Sequence, residues 1–235
     1  MANPSPLMAL TLISGLLSSL LPLAAHAAPE QPFQQEFRLS TSKVPISVNA
    51  ERRLRQLDDD TWQMEVEAKN MLGRVREVTR FQWHQCTPQT TSYSYLREGL
   101  GQKRKASLTL DRDSGMATSV RANGNVREYP IASTTTDKLS QTLALQCMLQ
   151  RGDHELVLDV ADEKGREQER YIIDGEEILK TPAGPLRTVR LLRDRNEDDD
   201  SRQTWLWFAA DHNYTLVKLV QEEHNQRHEM LIQVL

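Results

Sequence analysis

The segment Trp62-Gln63-Met64-Glu65-Val66-Glu67-Ala68-Lys69 alternates apolar and polar residues without interruption. Successive side chains of a β-strand point to opposite faces, so this alternation predicts a strand with one buried face and one solvated face. Antiparallel sheets commonly leave one face in water, whereas parallel sheets are covered on both faces. The segment therefore favours a mainly antiparallel β fold.

The same period of two recurs along the chain, at 44–50, 108–110 and 156–160. Clusters of Gly, Asn and Asp predict turns between the runs. These turn signals lie at 57–60, 70–73, 111–115, 123–124, 163–165, 174–175 and 196–201. After residue 152 we predict strands at 154–161, 167–174, 176–181, 186–194, 203–210, 214–223 and 227–235. Thr204–Ala209 is apolar on both faces, which predicts a central, doubly covered strand in an antiparallel meander.

One segment breaks the period of two. Leucines at 139, 143 and 149 fall near helical spacing, after a possible N-cap in Thr134–Asp137 and before a C-cap glycine, Gly152. We predict a helix at about 137–150. The resulting fold class is mainly β: a long, curved antiparallel sheet curled into an open or incomplete barrel, with this one helix packed against its concave face.

The N-terminus resembles a secretory signal peptide. An apolar run at 7–23 is followed by an A-x-A site at Ala25 and Ala27, so we predict cleavage after Ala27 and a periplasmic protein. The alternative is an uncleaved membrane anchor, although the run is shorter than the roughly 20 residues that span a bilayer. The predicted organisation is a signal peptide at 1–27, a flexible tail at 28–35 and a single β-rich periplasmic domain at 36–235, with no later transmembrane segment.

The charges and cysteines narrow the class of protein. The 29 basic and 33 acidic residues are interspersed and give a net charge of −4, which argues against a nucleic-acid partner. Two cysteines, Cys86 and Cys147, predict one disulfide in an oxidising compartment, the alternative being two separate buried thiols. Such a disulfide would fasten the predicted helix to the sheet.

The second half of the chain resembles a known family. The resemblance rests on Asp137-Lys-Leu-Ser140, Tyr171-x-x-x-Gly175, Thr181-Pro-Ala-Gly184 and Thr204-Trp-Leu-Trp-Phe-Ala-Ala-Asp211. In these motifs the chain resembles the bacterial periplasmic proteins of domain of unknown function family 3108. The resemblance implies a fold similar to that of lipoprotein carriers, a curved sheet partly wrapped around a helix, and it implies no activity.

Several residue groups could carry chemistry, but each has a simpler interpretation. If they lay on a helix, His224 and His228 would share one face and could bind a metal. The surrounding sequence instead predicts a hairpin with Asn225-Gln226 at its tip. The acidic run 197–200 could attract calcium, although it lacks the glycine and the closing Glu of an EF-hand loop. His84 and Cys86 could form a nucleophile pair only if the thiol were free.

Two further groups could bind ligands. Tyr93, Tyr95 and Leu96 precede the basic cluster 103–105, a combination that could contact lipid headgroups or glycan. The simpler interpretation is a strand, a glycine turn and a second, solvated strand. Large aromatic residues mostly fill cores, but in a curved sheet they could also line an apolar cavity. The residues predicted to line such a cavity are Trp62, Met64, Trp83, Leu143, Trp205 and Trp207.

The sequence thus favours a non-catalytic binding module for a hydrophobic envelope component, a lipid or acyl chain, acting as a monomer without cofactor or metal. The alternative is an interaction or assembly factor for envelope proteins. An enzyme is the least favoured class, because no catalytic set can be assembled from the motifs.

Overall fold

The computed structural model describes residues 31–42, 44–58, 60–99, 101–195 and 202–235. The predicted signal peptide with its cleavage site and the acidic run 197–200 lie outside these residues. Within the described part, no helix has the length and apolar character needed to cross a membrane.

The described residues form strands along almost their whole length, as the period of two predicts. The strands are β1 (Phe33–Thr41), β2 (Val44–Gln56), β3 (Thr61–Asn70), β4 (Gly73–His84), β5 (Thr87–Gly99), β6 (Gln102–Asp111), β7 (Met116–Val120), β8 (Val126–Pro130), β9 (Thr136–Asp137), β10 (Leu156–Ala161), β11 (Arg166–Thr181), β12 (Gly184–Asp194), β13 (Arg202–Ala209), β14 (Thr215–Glu223) and β15 (Gln226–Val234). The helix α1 spans Gln141–Arg151, and a 3₁₀ turn occupies Ala210–His212.

All these strands belong to one sheet of 15 strands in the described part of the chain. Its order is β8-β7-β6-β5-β4-β3-β2-β1-β15-β14-β13-β12-β11-β10-β9. Two meanders, one from each half of the chain, are joined by the antiparallel pairing of β1 with β15. The pairing of β9 with β10 is parallel, and the other pairings are antiparallel, as predicted.

The helix α1 lies between the two halves of the rolled sheet. Leu143 packs with residues of β2, β3 and β4, whereas Leu145 and Leu149 pack with residues of β10 to β14. Eight of its residues are buried, including the polar Gln141, Thr142 and Gln146. Because the helix is covered on nearly all sides, its polar side chains cannot bond to water and need hydrogen-bond partners within the protein. The prediction of one helix packed inside a curved sheet is confirmed.

Side chains, and not a strand ladder, close the barrel between its two edges. The Tyr129 hydroxyl on β8 donates to the Asp162 carbonyl over 2.5 Å, and the Ser119 hydroxyl and Arg121 Nε on or next to β7 donate to the Glu163 carbonyl. Asp162 and Glu163 lie in the turn that joins β10 to β11. The barrel is therefore incomplete, as predicted, with a seam that side chains bridge.

Three local predictions differ from the structure. No turn interrupts the chain at 174–175, because β11 runs through this point and Gly175 (φ 147°) instead forms a bulge in the pairing with β12. The β14–β15 hairpin is confirmed, but its tip is His224-Asn225, one residue earlier than predicted, and both residues have positive φ. Strand β1 begins at Phe33, so the last three residues of the predicted tail 28–35 pair with β2.

The helix also begins later than predicted. Ser140 is its N-terminal cap residue, and Gly152 (φ 78°) is its C-cap, as predicted. Asp137 does not start the helix because its backbone pairs with Ala161 and its carboxylate is bound by hydroxyls of β4 and β5. Residues 137–140 thus belong to a crossing segment that leads into α1.

Candidate functional site

The residues predicted to line a cavity fall into two separate groups. Trp62, Met64 and Leu143 belong to one buried cluster, and Trp83 packs against its border. This cluster is well filled, because Trp62 is 7% exposed and Met64 1% exposed. These four residues are near one another, as the cavity hypothesis requires, but they form core packing between α1 and the first half of the sheet.

Trp205 and Trp207 lie elsewhere. They pack in a cluster with residues of β1, β14 and β15, while the intervening Leu206 packs with the helix cluster on the opposite face of β13. Trp207 Nε1 donates to the Glu177 carboxylate over 2.7 Å, and the Lys218 ammonium lies 4.9 Å from its ring centroid. Both faces of β13 are covered, as predicted, but these tryptophans do not join the other four.

An open cleft of about 690 Å³ is lined by residues from both halves of the sheet. Of the six predicted residues, Met64 contributes to its lining. Its apolar lining comes from both halves of the sheet and from the segment before α1: Met64, Val66, Leu139, Val160, Leu206, Leu216, Leu219 and Met230. Such a volume is in the range of small-molecule sites, which are mostly apolar. Here 12 of the 26 lining residues carry a charge, so this cleft is more polar than most such sites.

One wall of the cleft holds a buried carboxylate. Glu169, 4% exposed, accepts a hydrogen bond of 2.6 Å from the Tyr171 hydroxyl and pairs with Arg193 Nη1 at 3.2 Å. Burial raises the pKa of Glu169, and Arg193 only partly opposes that effect. Burial, followed by the neighbouring Glu169, also raises the pKa of Tyr171. Glu169, Tyr171 and Arg193 therefore bond to one another, and they make this wall of the cleft polar.

Beside that wall, three polar side chains are incompletely bonded. Arg195 Nε and Nη2 and Thr204 Oγ1 are buried atoms without a hydrogen-bond partner among the described residues. Arg202 reaches the Glu223 carboxylate only at 3.8 Å. Burial lowers the pKa of Arg195, and the nearby charges of Arg193 and Arg202 lower it further. We call Arg195, Arg202 and Thr204 the basic corner of the cleft.

The Thr204 hydroxyl, which has no hydrogen-bond partner among the described residues, gives a testable prediction about stability. Thr204 is 5% exposed, and a buried hydroxyl without a partner costs about 1–3 kcal/mol. In ligand-free protein, Thr204→Val is expected to raise the free energy of unfolding by about 1 kcal/mol, which corresponds to about 2–4 °C in Tm. The control is Thr188→Val, which removes a buried hydroxyl that donates to the Glu177 carbonyl over 3.0 Å and should lower Tm. A lower Tm for Thr204→Val would contradict the prediction.

The opposite wall carries an ion pair above a tyrosine. Lys138 Nζ donates to the Glu163 carboxylate over 2.9 Å and lies 5.3 Å from the Tyr93 ring centroid. The Tyr93 hydroxyl donates to Glu77 over 2.6 Å, and burial raises the pKa of Glu77. Tyr93 is 3% exposed, so its ring cannot join the exposed basic cluster 103–105 in contacting lipid headgroups, contrary to the sequence-based alternative.

The crossing segment is fastened by Asp137, whose side chain is fully buried. Its Oδ2 accepts hydrogen bonds of 2.6 Å from the hydroxyls of Thr79, Thr90 and Ser140. Its Oδ1 accepts from the backbone N–H groups of Leu139 and Ser140. Five donors therefore fix the position of the segment that carries Lys138 and Leu139 into the cleft.

The disulfide between Cys86 and Cys147 is confirmed, with 5.4 Å between the two Cα atoms. It joins the β4–β5 turn to α1. The bonded sulfur of Cys86 is not a nucleophile, so the pair of His84 and Cys86 cannot act as a Cys/His catalytic pair in this state.

The basic corner was not predicted from the sequence. The signal was present in β12, where the face that carries the buried Leu191 continues with Arg193 and then Arg195. A switch from apolar to basic residues on the inward face of a strand is unusual, because charged residues are seldom placed toward a core. The cavity prediction rested on four tryptophans with Met64 and Leu143, and of these six residues Met64 lines the cleft.

The chain resembles several solved structures in fold. A β-barrel-like protein of domain of unknown function DUF1849 from Brucella abortus has a TM-score of 0.55 at 7% identity, covering 86% of this chain and 95% of that protein. A candidate lipoprotein from Parabacteroides distasonis has a TM-score of 0.33 at 10% identity, covering 88% of this chain and 95% of the other. A candidate exported protein with a YmcC-like fold from Bacteroides fragilis has a TM-score of 0.32 at 10% identity, covering 86% and 93%.

The similarity to the Brucella abortus protein extends to the fold alone, a β-barrel-like architecture. No curated protein matches the sequence. A family model matches residues 36–232, which include every strand from β2 to β14 as well as α1. The chain belongs to the family described as protein of unknown function DUF3108.

Proposed function

We propose that the protein is a non-catalytic periplasmic binding module that holds the acyl chain of a cell-envelope component in the cleft. The observation that carries the proposal is the cleft of about 690 Å³, whose apolar side chains come from strands on both sides of α1. Burying apolar surface there would contribute about 25 cal/mol per Å² of ligand covered. The mechanism is binding and release, without a covalent step.

Export is part of the proposal. The signal peptide with cleavage after Ala27 is a sequence-based expectation, and the disulfide between Cys86 and Cys147 supports an oxidising compartment. The absence of catalysis is likewise proposed. Two observations support it. Both cysteines form the disulfide, and the Glu169 carboxylate is bonded to Arg193 and Tyr171.

The proposal predicts bound lipid in protein purified from a bacterial periplasm. Native mass spectrometry under gentle conditions should show a defined added mass that solvent extraction identifies as a lipid. The cleft-filling variant Val66→Trp should reduce this occupancy at least tenfold, which corresponds to about 1.4 kcal/mol of binding free energy. Val66 lines the cleft and is partly exposed, so a larger ring can enter the open space.

The matched control is Glu67→Trp. Glu67 is the next residue of β3, so its side chain lies on the opposite face of the sheet, and it is also partly exposed. This variant should retain the bound mass. A bare mass for the unmodified protein, or equal occupancy in the two variants, would overturn the proposed function.

The second candidate, an assembly factor for envelope proteins, has one observation in its favour. Met71 and Leu72 at the tip of the β3–β4 hairpin are 101% and 53% exposed. Exposed apolar residues can mark protein contacts. Loss of a co-purifying envelope protein from a Met71→Ser/Leu72→Ser variant, with lipid occupancy unchanged, would favour this function.

A further inference from the structure

The arginines of the basic corner are weakly paired with carboxylates among the described residues, although Glu167 and Glu169 partly oppose the lowering of the Arg195 pKa. Glu167 and Glu169 both pair with Arg193, at 2.8 and 3.2 Å. Among the residues that the structure describes, Arg195 is in no ion pair, and Arg202 reaches one carboxylate, that of Glu223, at 3.8 Å. A guanidinium that faces a cleft forms its strongest hydrogen bonds with a carboxylate or phosphate, because two of its N–H groups can donate to two oxygens of the same anion.

Thr204 supplies an independent sign of a ligand at the same place. Its side chain is 95% buried, lines the cleft, and has a hydroxyl without a partner among the described residues. Buried hydroxyls are normally hydrogen-bonded, so an exception next to Arg195 needs a physical reason. An acceptor oxygen of a bound anion would give this hydroxyl a partner.

The basic corner adjoins the apolar part of the cleft. Thr204 and Leu206 lie on the same face of β13, two residues apart, and they pair with Gln221 and Leu219 on β14. All four side chains line the cleft. Along this face the lining therefore changes from apolar at Leu206 to polar and basic at Thr204 and Arg202. A ligand that matches it has an apolar chain and an anionic end.

We infer that the cleft binds a single-chain anionic amphiphile, with its carboxylate or phosphate held by Arg195, Arg202 and Thr204 and its chain on the apolar lining. The inference rests on the proposed function and adds the class of head group. It also gives Arg195 a role that packing does not explain.

The test compares three probes with delipidated protein. Laurate has the chain and the anion, 1-dodecanol has the same chain without charge, and inorganic phosphate is an anion without a chain. Titration calorimetry at concentrations below micelle formation should show laurate binding at least tenfold tighter than 1-dodecanol. Added salt should weaken the binding of laurate and leave the binding of 1-dodecanol unchanged, because salt screens only the interaction between charges. Phosphate should bind much more weakly than laurate.

The variant Arg195→Gln separates the head-group contact from the chain contact. It should weaken the affinity for laurate about tenfold and leave the affinity for 1-dodecanol unchanged. The control Arg187→Gln removes an exposed arginine of β12, the strand that Arg195 follows. Arg187 lies outside the cleft and pairs with Asp211, so this variant should change neither affinity. Thr204→Val, which is expected to fold well, should weaken laurate several-fold and serves as the second variant.

The outcomes distinguish the inference from the proposed function. Equal affinities for laurate and 1-dodecanol would overturn the anionic head-group site and leave an acyl-binding cleft in place. Binding of phosphate as tight as that of laurate would overturn the amphiphile and indicate a simple anion site. Failure of all three probes to bind would overturn both.

Discussion

Replacing Asp137 by alanine is expected to lower the free energy of unfolding by about 3–5 kcal/mol, the largest effect of any single substitution at the site. The carboxylate is fully buried and accepts three hydroxyl donors and two backbone N–H groups. Alanine would leave these donors buried without their charged acceptor, and hydrogen bonds to charged groups contribute about 1.5–3 kcal/mol each. Urea denaturation followed by circular dichroism measures the loss.

Two further variants make this result specific. Asp137→Asn keeps the shape and one acceptor oxygen, so it should lose less stability than alanine. Asp211→Ala removes an exposed carboxylate that pairs with Arg187, both side chains being 56% exposed, and should change stability by less than about 1 kcal/mol. If Asp137→Ala and Asp211→Ala had similar stabilities, the buried network would not fasten the crossing segment.

The effect should extend to the cleft, because Asp137 is followed directly by two cleft residues, Lys138 and Leu139. In wild-type protein the segment is held on one side by Thr79 and Thr90 and on the other by the pairing of β9 with β10. Loss of the first attachment should loosen Lys138 and its ion pair with Glu163. Amide hydrogen exchange at Leu139 and Ser140, whose N–H groups bond to Asp137, would report this loosening directly.

The sequence contained most of the information about the strands, because alternation along a half-buried strand follows from backbone geometry alone. In the segment 62–69, Trp62, Met64 and Ala68 are buried as predicted. Gln63 and Glu65, on the face predicted to be solvated, are buried as well, and Glu65 pairs there with Arg55 and Arg76 of the neighbouring strands, so that part of the prediction is wrong. The alternation could not show that β11 continues through Gly175. A glycine next to an aspartate is typical of a turn, and only the pairing with β12, which continues before and after Gly175, makes it a bulge.

The candidate site was less predictable, because it depends on which strands face each other across the rolled sheet. Trp205 and Trp207 are apolar and aromatic like Trp62, yet the alternation of β13 places them away from the helix. Arg195 lies near the end of a strand, where basic residues usually face water. The alternation from Leu191 through Arg193 indicates which face Arg195 lies on, but that this face lines an open cleft depends on the curvature of the whole sheet.

Removing the disulfide is expected to have an effect of similar size to the loss of Asp137. Cys86 and Cys147 are 61 residues apart, and closing such a loop contributes about 4 kcal/mol in the chain-entropy model. The double variant Cys86→Ser/Cys147→Ser should therefore unfold at a clearly lower urea concentration than the oxidised protein. The change also releases α1 from the β4–β5 turn, although Leu143, Leu145 and Leu149 still hold the helix between the two halves of the sheet.

The matched control for the double variant is the wild-type protein unfolded and measured in dithiothreitol. Both cysteines are buried, at 6% and 5% exposure, so the reductant must act through transient opening, and full reduction has to be checked by thiol titration. Reduced wild type and the variant should have nearly the same denaturation midpoint, and dithiothreitol should not move the midpoint of the variant. A variant as stable as oxidised wild type would show that the packing of α1 alone fixes the helix. In that case the cross-link would contribute little to the fold, and lipid occupancy should also survive its removal.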